Sequence, residues 1–215
     1  MSAGARARVR ELAVPVAIAL GRLGLTPNGL TLIGFLGTCG AAVAAATQHW
    51  LAAGILVLVF GIFDLFDGTL ARATGRASTL GAFLDSTLDR AGEAIVYLGI
   101  LAGAVSLGFQ QMSLFAPIAM AAAFMVSYTR AKSEGLGFTT GTGMAAVGVA
   151  PREVRLVILS AGLIWGGLAG VSATEQAGGG LIIDGALALI GVLATITTVQ
   201  RIVHVINQSQ RQPTH

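Results

Sequence analysis

Six long, predominantly apolar stretches follow one another along the chain, separated by short polar or glycine-rich breaks. They run from Gly29 to Thr47, Leu51 to about Ala73, Thr79 to Ser106, Met112 to Glu134, Leu156 to Thr174 and Leu181 to Ile206. A helix needs about 20 residues to cross the hydrocarbon of a bilayer, so this pattern predicts six transmembrane helices. Pro151 opens the fifth, in a first-turn position where proline is tolerated, and Gly178 to Gly180 mark the loop before the sixth. Ahead of the first stretch, residues 5–25 carry Arg6, Arg8, Arg10 and Arg22 among apolar positions and end in Leu25-Thr26-Pro27-Asn28. That segment predicts an amphipathic helix lying along the membrane surface, its arginines at the lipid headgroups. Arg22 interrupts the apolar run and no cleavage site follows it, which argues against a removed signal peptide. The expected organisation is a juxtamembrane helix at 1–26, a six-helix transmembrane catalytic domain at 27–207 and a tail at 208–215.

Composition sharpens this all-α, integral-membrane reading. Apolar residues make up 54% of the chain and charged ones 11%, with a mean hydropathy of +0.80, where a soluble domain carries roughly 25% charged residues. The single cysteine, Cys39, excludes a disulfide framework and a cysteine-based metal site. The pI near 9.8 raises nucleic acid as a partner, but the basic residues neither form a dense run nor interleave with aromatics. Their placement obeys a membrane rule instead. All 13 lysines and arginines fall before the first stretch, between the second and third, around the fourth-to-fifth connection, or at the end of the chain, with Arg90 a little inside the third. The loops near His49, Gln110 and Glu175 have none. Because basic residues collect on the cytoplasmic side, both termini are expected there, in a multi-pass protein of the cell membrane.

Four of the ten acidic residues, Asp64, Asp67, Asp85 and Asp89, fall within 26 positions. Spacings of i, i+3 and i, i+4 put each pair on one face of its helix, and the two helices are joined by a short turn around Thr74 to Ser78. An unpaired acid at mid-bilayer costs about 2.5 to 3.5 kcal/mol on the insertion scale, so such a cluster calls for a compensating charge. Hard oxygen ligands suit two magnesium or manganese ions. A proton relay, or a set neutralised by Arg72 and Arg90, satisfies the same spacing. The small residues Gly68, Ala71, Gly75 and Gly81 admit either a bulky ligand or a close helix neighbour.

Asp64-Leu-Phe-Asp67-Gly68-Thr-Leu-Ala71-Arg72, then eight residues, then Gly81-Ala-Phe-Leu-Asp85-Ser-Thr-Leu-Asp89, resembles the signature of the CDP-alcohol phosphotransferase family at every fixed position and gap. The resemblance extends to six spans, a surface N-terminal helix and a Pro27-Asn28 start to the first span. It implies that Asp64, Asp67, Asp85 and Asp89 hold two divalent ions and that Asp89 also acts as general base on an acceptor hydroxyl. It further implies that Asn28, Thr31, Gly68, Ala71, Arg72 and Gly81, with Asp64, Asp67 and Asp85, cradle the cytidine diphosphate of CDP-diacylglycerol. A homodimer is implied as well. Paired metals suit cleavage of a pyrophosphate, where charge must be neutralised on both the leaving CMP and the phosphoryl under attack.

Five further cations, Arg130, Lys132, Arg152, Arg155 and Arg201, come from three helices that end on the active side. Guanidinium groups bind phosphate bidentately, which points to a phosphorylated polyol acceptor. Ser127 to Glu134, Pro151 to Leu156 and Val199 to Arg201 are similar to stretches of the family's actinobacterial phosphatidylinositol phosphate synthases, implying inositol 1-phosphate. The order Arg130 then Lys132, and a Gly/Thr-rich insert from Gly137 to Gly148, depart from that pattern and keep glycerol 3-phosphate as the rival. The competing class, a transporter with an intramembrane carboxylate cluster, lacks a repeat of the acidic segment in the second half of the chain. Among single residues, Trp50 reads as an interface residue and Trp165 as a packing one. Glu93 either supports Asp89 or pairs with Arg90.

Overall fold

The computed structural model describes residues 14–138, 147–170 and 178–210, apart from the side chains of Asp64 and Leu65. Several expectations therefore lie outside the described residues: the first part of the surface helix with Arg6, Arg8 and Arg10, most of the Gly/Thr-rich insert, the end of the fifth span, and Arg211.

Every element among the described residues is helical. A stretch at 14–22, α1, precedes α2 (Pro27–Ala46), α3 (Trp50–Ala73), α4 (Thr79–Leu107), α5 (Gln110–Gly135), α6 (Arg152–Ala169) and α7 (Gly179–Ser209). Local chemistry sets the ends. Thr26 caps α2 by accepting from the Gly29 N–H at 3.1 Å, with Pro27 in the first turn. Ser78 caps α4 by accepting from the Gly81 N–H at 3.0 Å, and Gly108, at φ 73°, closes that helix in the left-handed region.

Five helices, α2, α3, α4, α5 and α7, are long and apolar enough to cross a membrane. Helix α6 has 18 residues but carries Arg152, Glu153 and Arg155 in its first turn. It starts four residues before the apolar run expected for the fifth span, because the extended Pro151 (φ −60°, ψ 169°) delimits it, and not the loss of charge. It stops at Gly170, whose φ of 83° a side-chain-bearing residue rarely adopts.

Packing closes the six long helices into a ring in the order α2, α3, α6, α7, α5, α4 and back to α2. The larger of two apolar clusters, including Val57, Tyr97, Ile100, Met112, Leu163 and Leu187, fills it. Large apolar side chains such as Leu36, Val43, Leu98, Val105 and Val192 face outward, as a lipid-facing surface requires. Glycines let the backbones approach. A Cβ on Gly99 would lie 2.8 Å from the Ala42 Cα across α2–α4, and one on Gly54 would lie 2.7 Å from the Ile164 amide nitrogen across α3–α6. Gly103 likewise leaves room for the Trp50 ring. The two tryptophans thus exchange their expected roles: Trp50 is 3% exposed and packed inside, whereas Trp165 is 64% exposed.

The visible part of α1 leans on the same end of the ring that carries the acidic residues. Ala17 is buried with Leu30 of α2 and Leu70 of α3, while Val14, Ile18 and Leu23 stay exposed.

Candidate active site

The α3–α4 hairpin turns through Thr74 and Gly75, the latter at φ 65°. This sharp turn brings the last turns of α3 against the first turns of α4, and the start of α2 completes the wall. A cavity of about 190 Å³ opens there. Helix α2 contributes Pro27, Asn28 and Thr31; α3 contributes Asp67, Gly68, Ala71 and Arg72; α4 contributes Gly81, Ala82 and Asp85. Eight of the nine residues expected around a cytidine diphosphate therefore line one space, the ninth being Asp64, whose side chain is not described.

The first turns of two helices, α2 and α4, face this cavity, so the positive ends of two helix dipoles favour an anion inside it. Arg72 and Arg76 add full charges. Each glycine has a spatial reason. The Arg72 guanidinium lies over Gly68, where a Cβ would be 3.4 Å from Nη1. A Cβ on Gly81 would press on Ser78 Oγ and Asn28 Oδ1 at 3.1 and 3.2 Å.

Asp67 is 5% exposed and held in place. Its Oδ2 accepts from the Thr31 hydroxyl at 2.6 Å, and its Oδ1 accepts from the Gly68 N–H. Thr31 also borders a smaller cleft, with Gly34, Thr38, Gly92, Asp89 and Arg152. Thr31 thus stands between Asp67 and Asp85 in the larger cavity and Asp89 in the smaller. Asp89 Oδ2 lies 3.0 Å from Arg152 Nη1. Among the described residues, no three acidic, histidine or cysteine side chains stand close enough to enclose a metal ion. The acidic side chains that line the two spaces, Asp67, Asp85 and Asp89, offer carboxylate oxygens, the donor type that suits a hard divalent cation.

The five expected phosphate-binding cations divide into two groups. Arg130 and Lys132 lie exposed at the end of α5, Arg130 donating to Glu134 at 2.9 Å. Arg152 is partly exposed beside Asp89. Arg155 and Arg201 are instead buried, at 1% and 3% exposure. The Arg155 Nε and Nη2 donate to the two oxygens of Glu93, each at 2.9 Å, and Nη1 donates to the Ala150 carbonyl at 3.1 Å. Arg201 donates to the Val147 carbonyl at 3.1 Å and to the Val126 carbonyl. These placements differ from those expected of open phosphate ligands.

Two features escaped the sequence. Arg76, counted there only as a membrane-side cation, lines the cavity because the hairpin turn folds over it. Glu93 pairs with Arg155, 62 positions away, and not with Arg90. No local spacing signals a partner so distant.

A helical bundle with a cavity at one end, carboxylates in its wall and two helix N-termini facing it can receive an anionic group. Residues 24–197 match the CDP-alcohol phosphatidyltransferase family, and the chain belongs to it. It is similar to the archaetidylinositol phosphate synthase of Pyrococcus horikoshii, 39% identical over 155 residues that cover 72% of this chain and 77% of that protein. It is also similar to the phosphatidylinositol phosphate synthase of Streptomyces avermitilis, 33% identical over 95% of this chain and 82% of the relative. The fold superposes on the Mycobacterium tuberculosis phosphatidylinositol phosphate synthase solved with CDP-DAG bound, with a TM-score of 0.75 and 27% identity over 91% of this chain and 94% of that one. The same mycobacterial protein has been crystallised with manganese and citrate, again at a TM-score of 0.75 and 27% identity over 90% and 88% of the two chains.

Proposed function

We propose that this enzyme transfers the phosphatidyl group of CDP-diacylglycerol to a hydroxyl of inositol 1-phosphate, releasing CMP. One observation carries the reading: eight of the nine residues expected to cradle the nucleotide line a single cavity at the end of the bundle. Inositol phosphate as acceptor is supported by relatives from two lineages, archaeal and actinobacterial, named for that product class.

In this reading the nucleotide's pyrophosphate lies between the N-termini of α2 and α4, with Arg72 and Arg76 beside it. Asp64, Asp67, Asp85 and Asp89 would hold two divalent ions, magnesium or manganese, and the mycobacterial relative crystallised with manganese supports such a site. Bound there, the ions would neutralise charge on the pyrophosphate. Asp89 takes the proton from the acceptor hydroxyl, since an alcohol is a weak nucleophile until a positioned base deprotonates it. Arg152, beside Asp89, with Arg130 and Lys132 at the rim, faces the acceptor's phosphate; Arg155 and Arg201 stand behind them.

The catalytic unit is residues 27–207, with six spans and both termini in the cytoplasm of the cell membrane, working as a homodimer. The lipid tails of the donor then stay in the bilayer while its nucleotide meets the cytoplasmic end.

The test offers purified enzyme CDP-diacylglycerol with radiolabelled inositol 1-phosphate, glycerol 3-phosphate or free inositol, each with magnesium, manganese or a chelator. Labelled lipid should form with inositol 1-phosphate and a divalent ion only. Lipid made chiefly from glycerol 3-phosphate would replace the acceptor assignment, and undiminished turnover under chelation would remove the metal.

A further inference from the structure

The family signature ends at Asp89, yet the carboxylate one turn further along α4 is the more deeply bound of the two. Asp89 and Glu93 are spaced i, i+4 on α4, and Arg152 and Arg155 i, i+3 at the start of α6. Helices α4 and α6 are not neighbours in the ring. These side chains therefore reach across its interior as two parallel rungs. The outer rung joins Asp89 to Arg152 at 3.0 Å, with both side chains partly open to solvent, 15% and 21%. The inner rung, Glu93 to Arg155, is bidentate, with side chains 3% and 1% exposed. A buried, two-point Arg–carboxylate pair fixes direction as well as distance.

The inner rung also holds the chain that leads into α6. Arg155 Nη1 takes the Ala150 carbonyl, the Ala150 N–H donates to Thr197 Oγ1 of α7 at 2.9 Å, and Arg201 takes the Val147 carbonyl. Gly148, at φ 114°, lies so close over Thr197 that a side chain there would collide with it. The segment 147–151 is thus pinned from α4 through Arg155 and directly from α7, one residue before Arg152 begins the helix.

We propose that Glu93 is a positioning residue of this enzyme: paired with Arg155, it sets the start of α6 so that Arg152 meets Asp89. Glu93 touches neither substrate. It acts through Arg155 on the place of Arg152, and the proposal rests on the reading of Asp89 and Arg152 as parts of the reaction centre.

The test is a kinetic cycle between two positions that do not touch, with Glu93→Gln, Arg152→Ala and the double variant, each assayed for CMP release against donor and acceptor concentration. Glu93→Gln should lower kcat about 100-fold, the loss typical of a reacting group misplaced by roughly an ångström, and leave the donor KM within about threefold. Substitutions at separated, independent sites have additive effects. If Glu93 works through Arg152, the double variant should be no slower than Arg152→Ala alone. Multiplying defects, or a Glu93→Gln enzyme with normal kcat, would overturn the proposal.

Glu93→Gln/Arg155→Gln removes both buried charges and provides a folded variant where the single one does not accumulate. It should show the same kcat loss with CDP still protecting the protein against thermal unfolding. A rise in acceptor KM alone in that variant would instead make Arg155 a direct phosphate ligand, against the proposal. Asp89→Asn serves as the control: substantial turnover there would sink the assignment of the reaction centre itself, whatever Glu93 does.

Discussion

At the scale of single residues, Thr31 shows how a side chain outside the acidic signature governs it. Its hydroxyl donates to Asp67 at 2.6 Å, and it borders both the nucleotide cavity and the cleft at Asp89. A hydrogen bond to a charged group is worth about 1.5 to 3 kcal/mol, enough to decide which way a buried carboxylate points. Thr31→Val keeps the shape and removes the donor. It should raise the magnesium concentration needed for half-maximal CMP release by about tenfold, the lower end of that range. Thr31→Ser should restore it, and an unchanged metal requirement in the valine variant would show that Asp67 is held by other means. The acids themselves were readable in the sequence because their spacings are local: i, i+3 on one helix and i, i+4 on the next. Thr31 and Asn28 came only through the family resemblance. Glu93–Arg155 and the inward turn of Arg201 did not come at all, because these partners meet only after six helices close into a ring.

At the scale of elements, apolar run length and the caps at Thr26 and Ser78 set helix ends that the sequence places within a few residues. Helix α6 departs from this because hydropathy counts its charged first turn as loop, whereas its two arginines pair with Asp89 and Glu93 of α4. Close approach was less readable, since a glycine in an apolar run signals equally a packing contact or a lipid-facing gap. The structure separates the two. Gly40 and Gly185 face open space, but Gly99 and Gly103 sit against the α2 backbone at Ala42 and Ala45. Gly99→Leu must push α4 away from α2, and overpacking of this kind destabilises by about 1 to 3 kcal/mol. Because α2 and α4 both wall the cavity, the variant should melt lower in detergent and bind CDP more weakly, while Gly185→Leu should change neither. Equal melting temperatures for the two variants would contradict the contact.

At the scale of the whole molecule, the question is whether α6 crosses the membrane, since its first turn makes its apolar stretch too short to qualify on composition. Its neighbours bear on that through level. Near its end, Gly167 abuts the Leu51 backbone at the start of α3, and Gly166 abuts Gly179 at the start of α7. Near its beginning, Arg155 and Arg152 reach the acidic end of α4. Eighteen residues of helix extend about 27 Å, close to the roughly 30 Å of bilayer hydrocarbon. Helix α6 therefore runs beside α3 and α7 from the cavity end of the ring to the opposite end, which supports the proposal of a sixth span. Single cysteines in a Cys39→Ala background test this with a membrane-impermeant maleimide on intact cells. Gln110→Cys and Gly178→Cys should react from outside, and Gly135→Cys and Gln210→Cys only after permeabilisation. Were α6 to lie on the surface, Gly178→Cys would instead share the protection of Gly135→Cys, the ring would have to open at two of its joints, and the Glu93–Arg155 rung could not form across it.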